Sequence, residues 1–396
     1  MAVSGKTVLV GFAEAMAAIE ATWSLQASGF RVVAFARRGA KPALRRVRGI
    51  ELYEISAPED DARAAADELR RLIETAGADA YLPLDDHAVW LAGELGDTGI
   101  PVAGPSGPLV AYALDKTLQL DAAREAGLPV PDTEVVDSPE AVDPPTYPVV
   151  VKPAMALYEV EGRLARPTGS AVANEDELAR VREKGWQPPL VVQPLIHGVG
   201  EGLFGHVTRE GVAAWSAHRR VRMLNPEGSA SSACESIPVD ESLAVPAERF
   251  LEGIGWRGLF MLEFLRDEDG RPWLMELNGR PWGSMALARR RGFEYPAWAV
   301  EGALDESFVP RAPERPPDVL CRNLALELVH LAFVLRGPQS ASLTRWPRLW
   351  PTIRGLLHVS RRDRLYNWNR SQPRVLLADT LQTLREYAGR AGRSRG

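Results

Sequence analysis

Cysteine is almost absent from this chain, with Cys234 and Cys321 the two examples in 396 residues. Two cysteines build no disulfide framework, and neither belongs to a Cys-x-x-Cys pair suited to zinc, so a reducing compartment fits best. Long apolar runs are missing too. No segment offers about 20 uninterrupted apolar residues, and the opening MAVSGKTVLVGF lacks the apolar core and cleavage site of a signal peptide. No transmembrane segment is expected, and the cytoplasm is the expected location. Neither charge sign dominates: 47 basic against 52 acidic residues leave a formal net charge of -5, which provides no global field for a nucleic-acid backbone. None of the six histidines has zinc-type spacing. GFAEAM, after the first apolar run, lacks the Gly-x-Gly-x-x-Gly spacing that lets backbone approach a pyrophosphate, which argues against NAD.

What is present is an ordinary globular composition, 45% hydrophobic and 25% charged. At about 150 residues per domain, this length predicts two or three units with clefts between them. Thr7 to Val10 reads as a strand, Glu14 to Ser28 as an alanine-rich helix closed by Gly29, and Arg31 to Phe35 as a second strand. This pattern predicts a parallel α/β unit over residues 1–110. From Asp115 a helix runs to Ala126, GLPVP stops it, and Pro148 to Lys152 forms a strand. Glu175 to Lys184 reads as a charged helix and Leu190 to Gln193 as a strand. Strands and Gly/Ser loops then alternate from Glu201 to Asn278. After about Val309, the proline-rich RAPERPP leads into a mainly helical extension with an unstructured tail, GRAGRSRG.

The strongest chemical signal is the hairpin FMLEFLRDEDGRPWLMELNGR, whose two apolar strands each carry a carboxylate where a side chain is half buried. A buried unpaired carboxylate is costly. With a turn at Asp267 to Gly270, or one residue further on, Glu263 lies diagonally or directly opposite Glu276, with Cβ atoms roughly 4.5 to 8 Å apart. Alternation puts Glu276 and Asn278 on one face and Trp273, Met275 and Leu277 on the other. Three oxygen-bearing side chains suit a hard cation such as magnesium that also holds phosphates. One carboxylate facing solvent on an edge strand is the open alternative. Arg280, two residues beyond Asn278, is placed to stabilise a transferring phosphoryl group.

ELNGR after a Glu-containing strand resembles the closing metal motif of ATP-grasp enzymes. That resemblance implies Glu263, Glu276 and Asn278 as metal ligands, two magnesium ions (manganese as a substitute) and ATP. Other parts follow in the family's order. Asp115-Lys116 opening a helix that ends in GLPVP is similar to the start of that fold, with Lys116 reaching the ATP phosphates. YPVVVKP resembles the strand carrying the second phosphate lysine, here Lys152. VVQPLIHGVGE is similar to the hinge that binds adenine, with Gln193 beside it, backbone at Pro194, Leu195 and Ile196 reading the base, and Glu201 on the ribose hydroxyls. The resemblance implies an N-terminal Rossmann-like parallel α/β domain (1–110), a two-lobed ATP-grasp domain (111–308, small lobe to about 190, large lobe from 191) and a helical extension (309–396). One stretch departs from the family. KPAMALYEVEGRLARPTGS has few glycines beside Lys152, which leaves Thr168, Gly169 and Ser170 as the nearest candidates for a phosphate-covering loop.

In similar proteins the region matching HRRVRMLNPEGSASSACES helps bind the carboxylate substrate, which makes Arg219 and Arg222 candidates for a carboxylate or acyl-phosphate, with Arg220 on a solvated strand as the alternative. Cys234 has no adjacent base and is expected to be structural. His197 and His218 receive no catalytic role. Asp85, Asp86 and Ser106, at strand ends of the first unit, are expected to cap loops. Within the family the nearest likeness is to carbamoyl-phosphate-synthase-like and D-aspartate-ligase-like members. That implies an ADP-forming ligase joining a carboxylic acid to an amine through an acyl-phosphate, on amino-acid or peptide-like substrates, and a possible homodimer. An ATP-dependent carboxylase, a small-molecule kinase and a non-catalytic nucleotide-binding protein are the alternatives. The arginine- and tryptophan-containing helices after residue 309 are expected to pack on the core, with peripheral membrane contact as the alternative.

Overall fold

The first apolar runs are buried on both sides, as strands of a parallel sheet covered by helices must be. In the computed structural model, which describes residues 5–97, 99–226, 231–338 and 346–393, the N-terminal lobe comprises β1 (Thr7–Gly11), α1 (Ala18–Ala27), β2 (Arg31–Arg37), β3 (Ile50–Ile55), α2 (Ala62–Ala76), β4 (Ala80–Pro83), α3 (Asp86–Glu94) and α4 (Leu109–Leu114). The strands form a parallel sheet in the order β3-β2-β1-β4. Alternate residues serve its two faces: Val8, Val10, Val32 and Ala34 meet α1, while Leu9, Val33 and Phe35 pack with residues of α2 and α3.

The small lobe contains α5 (Lys116–Glu125), β5 (Glu134–Val136), β6 (Val149–Pro153), β7 (Tyr158–Val160), β8 (Arg163–Ala165), β9 (Ser170–Val172), α6 (Glu175–Arg182) and β10 (Leu190–Pro194). Its antiparallel sheet has the order β5-β10-β6-β9. The large lobe contains β11 (Gly198–Thr208), β12 (Gly211–Met223), β13 (Ser231–Ile237), α7 (Glu241–Gly253), β14 (Gly258–Asp267), β15 (Pro272–Asn278), α8 (Met285–Arg290) and α9 (Tyr295–Leu304).

The extension holds β16 (Leu320–Arg322), α10 (Leu324–Arg336), α11 (Leu349–Leu357), β17 (Asp363–Leu365) and α12 (Pro373–Arg393). It is mainly helical as expected, but its two short strands complete a seven-stranded sheet, β15-β14-β11-β12-β13-β16-β17. Of the tail GRAGRSRG, residues 389–393 belong to α12, and residues 394–396 lie outside the described residues.

Two cores position the site. One face of the N-terminal sheet continues without a break into the large lobe, through Phe204, Met261, Trp282 and Tyr295. This shared core fixes the strand ends of the first lobe against the front of the large sheet. The back of that sheet is sealed by Leu262, Phe264 and Leu277 packing on Ala123 of α5 and Phe250 of α7.

Candidate active site

Glu263 and Glu276 are direct cross-strand partners in the β14–β15 hairpin. The turn closes through Asp267 N–H to the Arg271 carbonyl at 3.0 Å and pairs Arg266 with Pro272, a register that continued regularly would set Glu263 opposite Met275 and matches neither of the two turns open from sequence. A bulge follows at once: Phe264 pairs with Leu274, so Met275 has no opposite number. Strict alternation fails there. Leu274 joins Leu277 in the back core instead of sharing a face with Glu276 and Asn278, and the bulge re-aims the strand's polar end. Asn278 Nδ2 donates to Glu276 Oε1 at 3.0 Å, so all three oxygen-bearing groups converge.

The front face also carries an arginine. Arg220 Nη2 meets Glu263 Oε1 at 2.6 Å, across the intervening strand β11. The crossing requires Gly200, where an added Cβ would lie 2.5 Å from Arg220 Cδ. Burial pushes the Glu263 carboxyl up, Arg220 opposes that, and Glu276 raises it further. Two like charges held this close favour a cation between them.

Two lysines approach from the small lobe. Lys152 projects from β6, and Lys116 is the first residue of α5, whose cap is the Asp115 side chain accepting from Thr117 N–H at 2.8 Å. Lys116 N–H to the Ala154 carbonyl at 3.0 Å and Ala156 N–H to the Leu114 carbonyl at 2.7 Å tie the two segments together. Burial and the neighbouring Lys116 bring the Lys152 ammonium down to about 8, against the pull of Glu276 and Glu263. Burial likewise lowers Lys116, with Glu276 and Asp86 opposing.

Arg280 closes the site. Its Nε donates to Asp86 Oδ1 at 2.5 Å, and Arg166 Nη2 holds Asp86 Oδ2 at 2.8 Å. Asp85 caps α3, accepting from Ala88 N–H at 2.8 Å as expected, but Asp86 is not a cap. It anchors the two arginines, and although burial alone raises its carboxyl, Arg280 and Arg166 hold it at about 2. A cavity of about 140 Å³ lies among Asp86, Lys116, Arg166, Glu276, Asn278 and Arg280. Gln119 fixes its floor, donating to the Leu277 carbonyl at 3.2 Å and accepting from Leu277 N–H at 2.9 Å, so α5 grips the backbone between Glu276 and Asn278.

The segment after Lys152 folds as the β7–β8 hairpin. Leu157 and Leu164 pack on Ala62 and Trp90 of the first lobe, and Ala62 N–H donates to the Gly162 carbonyl at 2.9 Å. Gly169 lies against Lys152, where a Cβ would come within 3.0 Å of the lysine Cβ, and Ser170 Oγ accepts from Lys184 Nζ at 2.6 Å.

The remaining expected residues lie elsewhere. Gln193 is buried and donates to Thr133 Oγ1 at 2.9 Å; Pro194, Leu195 and Ile196 form the passage from β10 to β11, with Leu195 N–H bonded to the Pro148 carbonyl at 3.1 Å. Glu201 pairs with Phe264 and Arg219, which places it on the back face. Its carboxylate accepts from Arg219 Nε at 2.9 Å and from Arg266 Nε at 2.8 Å. Arg222 Nε donates to Glu327 of α10 at 3.0 Å. Neither Arg219 nor Arg222 joins the carboxylate cluster; Arg220, read from sequence as equally well a solvated residue, does. Residues 227–230 of the Gly/Ser loop that follows lie outside the described residues.

Cys234 is buried opposite Cys321, both as free thiols, and Ser231 Oγ lies 2.7 Å from its sulfur, which suits a structural role. His197 is exposed, whereas His218 is buried above Gly202 and burial drives its imidazole down to about 3.

No group of three or more His, Cys, Asp or Glu side chains able to hold a metal occurs among the described residues. Two carboxylates and an amide oxygen instead suit magnesium, which keeps water and phosphate oxygens as its other ligands.

Comparison with known proteins bears on the fold. Residues 208–325 match a family described as ATP-grasp in the biosynthetic pathway with Ter operon. A putative D-alanine–D-lactate ligase of Streptomyces coelicolor is 27% identical over 204 residues, covering 46% of this chain and 57% of that protein. The chain therefore spans little more than half of that relative's length. Among solved structures, an L-amino acid ligase from Bacillus licheniformis superposes with a TM-score of 0.60 at 16% identity, over 77% of this chain and 75% of that one. The biotin carboxylase domain of a Hydrogenobacter thermophilus 2-oxoglutarate carboxylase, in complex with MgADP and bicarbonate, does so with a TM-score of 0.60 at 16% identity, over 79% and 72%. At these identities the structural likeness establishes the fold.

Proposed function

From the premise that this chain has the ATP-grasp fold, we propose that it is an ADP-forming ligase that joins a small carboxylic acid to an amine through an acyl-phosphate. The observation that carries the reading is the direct pairing of Glu263 with Glu276, with Asn278 beside them and Lys116, Lys152 and Arg280 around them. Opposed carboxylates destabilise a sheet unless a cation joins them, and an adjoining cluster of cations suits a polyphosphate. The likeness to an L-amino acid ligase and to a putative D-alanine–D-lactate ligase supports amino-acid or peptide-like substrates.

In this reading a substrate carboxylate oxygen attacks the γ-phosphorus of ATP, the bond to the β-bridging oxygen breaks and ADP leaves. The amine nitrogen then attacks the acyl carbon, phosphate departs and the amine gives up a proton. Magnesium, one ion or two, with manganese as a substitute, supplies neutralisation of charge on the phosphate oxygens. Glu263, Glu276 and Asn278 would hold it. Lys116 and Lys152 orient the phosphates, and Arg280, steadied by Asp86, faces the transferring group. Arg220 holds Glu263 in place. The adenine lies at the Pro194–Ile196 passage beside Gln193. Glu201, with both oxygens engaged by arginines, must exchange a partner to reach a ribose; Arg219 and Arg222, held by Glu201 and Glu327 on the face away from Glu263, are not assigned to the substrate carboxylate. The division near residues 110 and 308, a cytoplasmic location and a homodimer belong to the same reading.

The test is ADP and phosphate release from MgATP with pooled amino acids, dipeptides and small acids, for the wild type and Glu276→Gln. Release that depends on an amine and is lost in the variant is expected. Bicarbonate-dependent release without an amine would replace the ligase with a carboxylase.

A further inference from the structure

The chain as a whole is acidic, yet between residues 346 and 374 it carries seven arginines and a single acid, Asp363. Among the described residues, Arg348, Arg354 and Arg361, in and beside α11, have no acidic partner, whereas Asp363 is held by Arg322 at 3.2 Å. Large apolar side chains stand exposed among these arginines: Trp350 and Leu357 at 77% and Val359 at 74%. In α11 the positions Trp350, Arg354 and Leu357 are spaced i, i+4, i+7 and share one outward stripe, while Thr352 is the buried contact. The stripe is held firmly. Arg322, buried at the end of β16, donates to the His358 carbonyl at 2.8 Å and the Leu356 carbonyl at 2.5 Å, and Trp346 Nε1 donates to the Val334 carbonyl at 3.2 Å. Beside the stripe lies an open cavity of about 610 Å³, lined by Trp350, Arg354, His358, Arg222, Val221 and Leu320.

We infer that this face of the extension docks on an anionic lipid surface, with Trp350, Leu357 and Val359 entering the headgroup boundary and the arginines meeting lipid phosphates. Exposed aliphatic and indole groups interleaved with unpaired arginines match an interfacial helix, in which apolar area and attraction to anionic lipid act together. A second copy of the chain fits less well, because a twofold interface here would set two strongly positive surfaces face to face. Nucleic acid fits less well because Leu357 and Val359 offer nothing to a base edge or a phosphate. The face lies on the opposite side of the sheet from Glu263, so membrane attachment would leave the carboxylate cluster unobstructed. The inference does not rest on the ligase reading.

The test uses the full-length protein in flotation assays with vesicles of phosphatidylcholine alone and with vesicles containing about one third phosphatidylglycerol. Binding to the anionic vesicles is expected at low salt, at least about tenfold weaker to the neutral ones and largely lost near 1 M salt, where screening is complete within about 3 Å. Arg354→Glu with Arg361→Glu, and separately Trp350→Ser with Leu357→Ser and Val359→Ser, should each weaken it at least about tenfold. All five positions are exposed, and unchanged thermal melts would show that both variants fold. Absence of binding to anionic vesicles, or binding untouched by both variants, overturns the inference. So does a dimer that the apolar variant dissociates, or RNA that displaces the vesicles.

Discussion

Arg219 and Arg220 are adjacent and chemically identical, yet they serve opposite faces of one sheet. On the back, Arg219 and Arg266 together satisfy the carboxylate of Glu201, and Arg266 continues to Asp240 at 2.8 Å. On the front, Arg220 reaches Glu263, while Glu276 has Asn278 as its hydrogen-bond partner and no ion pair among the described residues. The back face is a closed ionic network of the kind that holds strands together. The front face has more carboxylate oxygen than the protein itself satisfies, next to lysines and arginines grouped around a cavity. That imbalance separates a site from a scaffold more clearly than the number of charges does, because both faces are rich in charge.

The comparison can be broken most forcefully at Glu276. Glu276→Gln keeps the shape and removes the charge, and should lower ADP release by about a thousandfold, roughly 4 kcal/mol of transition-state stabilisation, with little change in the melting temperature. Next come the paired substitutions. Arg220→Met should cost about a hundredfold in turnover, whereas Arg219→Met should leave turnover within about twofold and lower stability by about 1 kcal/mol, because its side chain is 44% exposed and Arg266 still holds Glu201. Equal losses of activity from the two would erase the distinction between the faces.

Acid stability gives a third, intermediate effect. The Asp86 carboxyl sits at about 2, below its unfolded value of 3.8, so its contribution is present above pH 4 and disappears as pH falls through 2. Urea melts across that window should show a loss of about 2 kcal/mol that Asp86→Asn removes. A smaller loss than that of Arg220→Met is expected at Gly200. Gly200→Ala sets a Cβ against the Arg220 stem, which can swing aside but then leaves Glu263, so turnover should fall about tenfold while the fold survives.

Sequence carried much of this. The parallel lobe was legible from buried β-branched runs, and the hairpin carboxylates stood out because apolar strands rarely hold acids without a partner. The facing of Arg219, Arg220 and Arg222 was not legible, because it depends on the register of β12 against its neighbours and on an irregularity between Arg220 and Arg222 that no local pattern announces. The alternating glycines at 198, 200 and 202 were the available clue, since a strand that gives up side chains leaves room for those of the next one. Asp86 went unrecognised because its partners Arg166 and Arg280 are far away in sequence. Strands β16 and β17, three residues each, are too short to show a period, so the extension's place in the sheet emerged only from the fold.

The most direct test of the central claim is calorimetric titration of MgADP into the wild type, Arg219→Met and Glu276→Gln, repeated with ADP in the absence of divalent metal. Tight metal-dependent binding to the first two, weakened at least about tenfold in Glu276→Gln and with metal-free ADP binding alike in all three, is the predicted result. Equal MgADP affinity in all three proteins would contradict the assignment of the front-face carboxylates to the metal-nucleotide site.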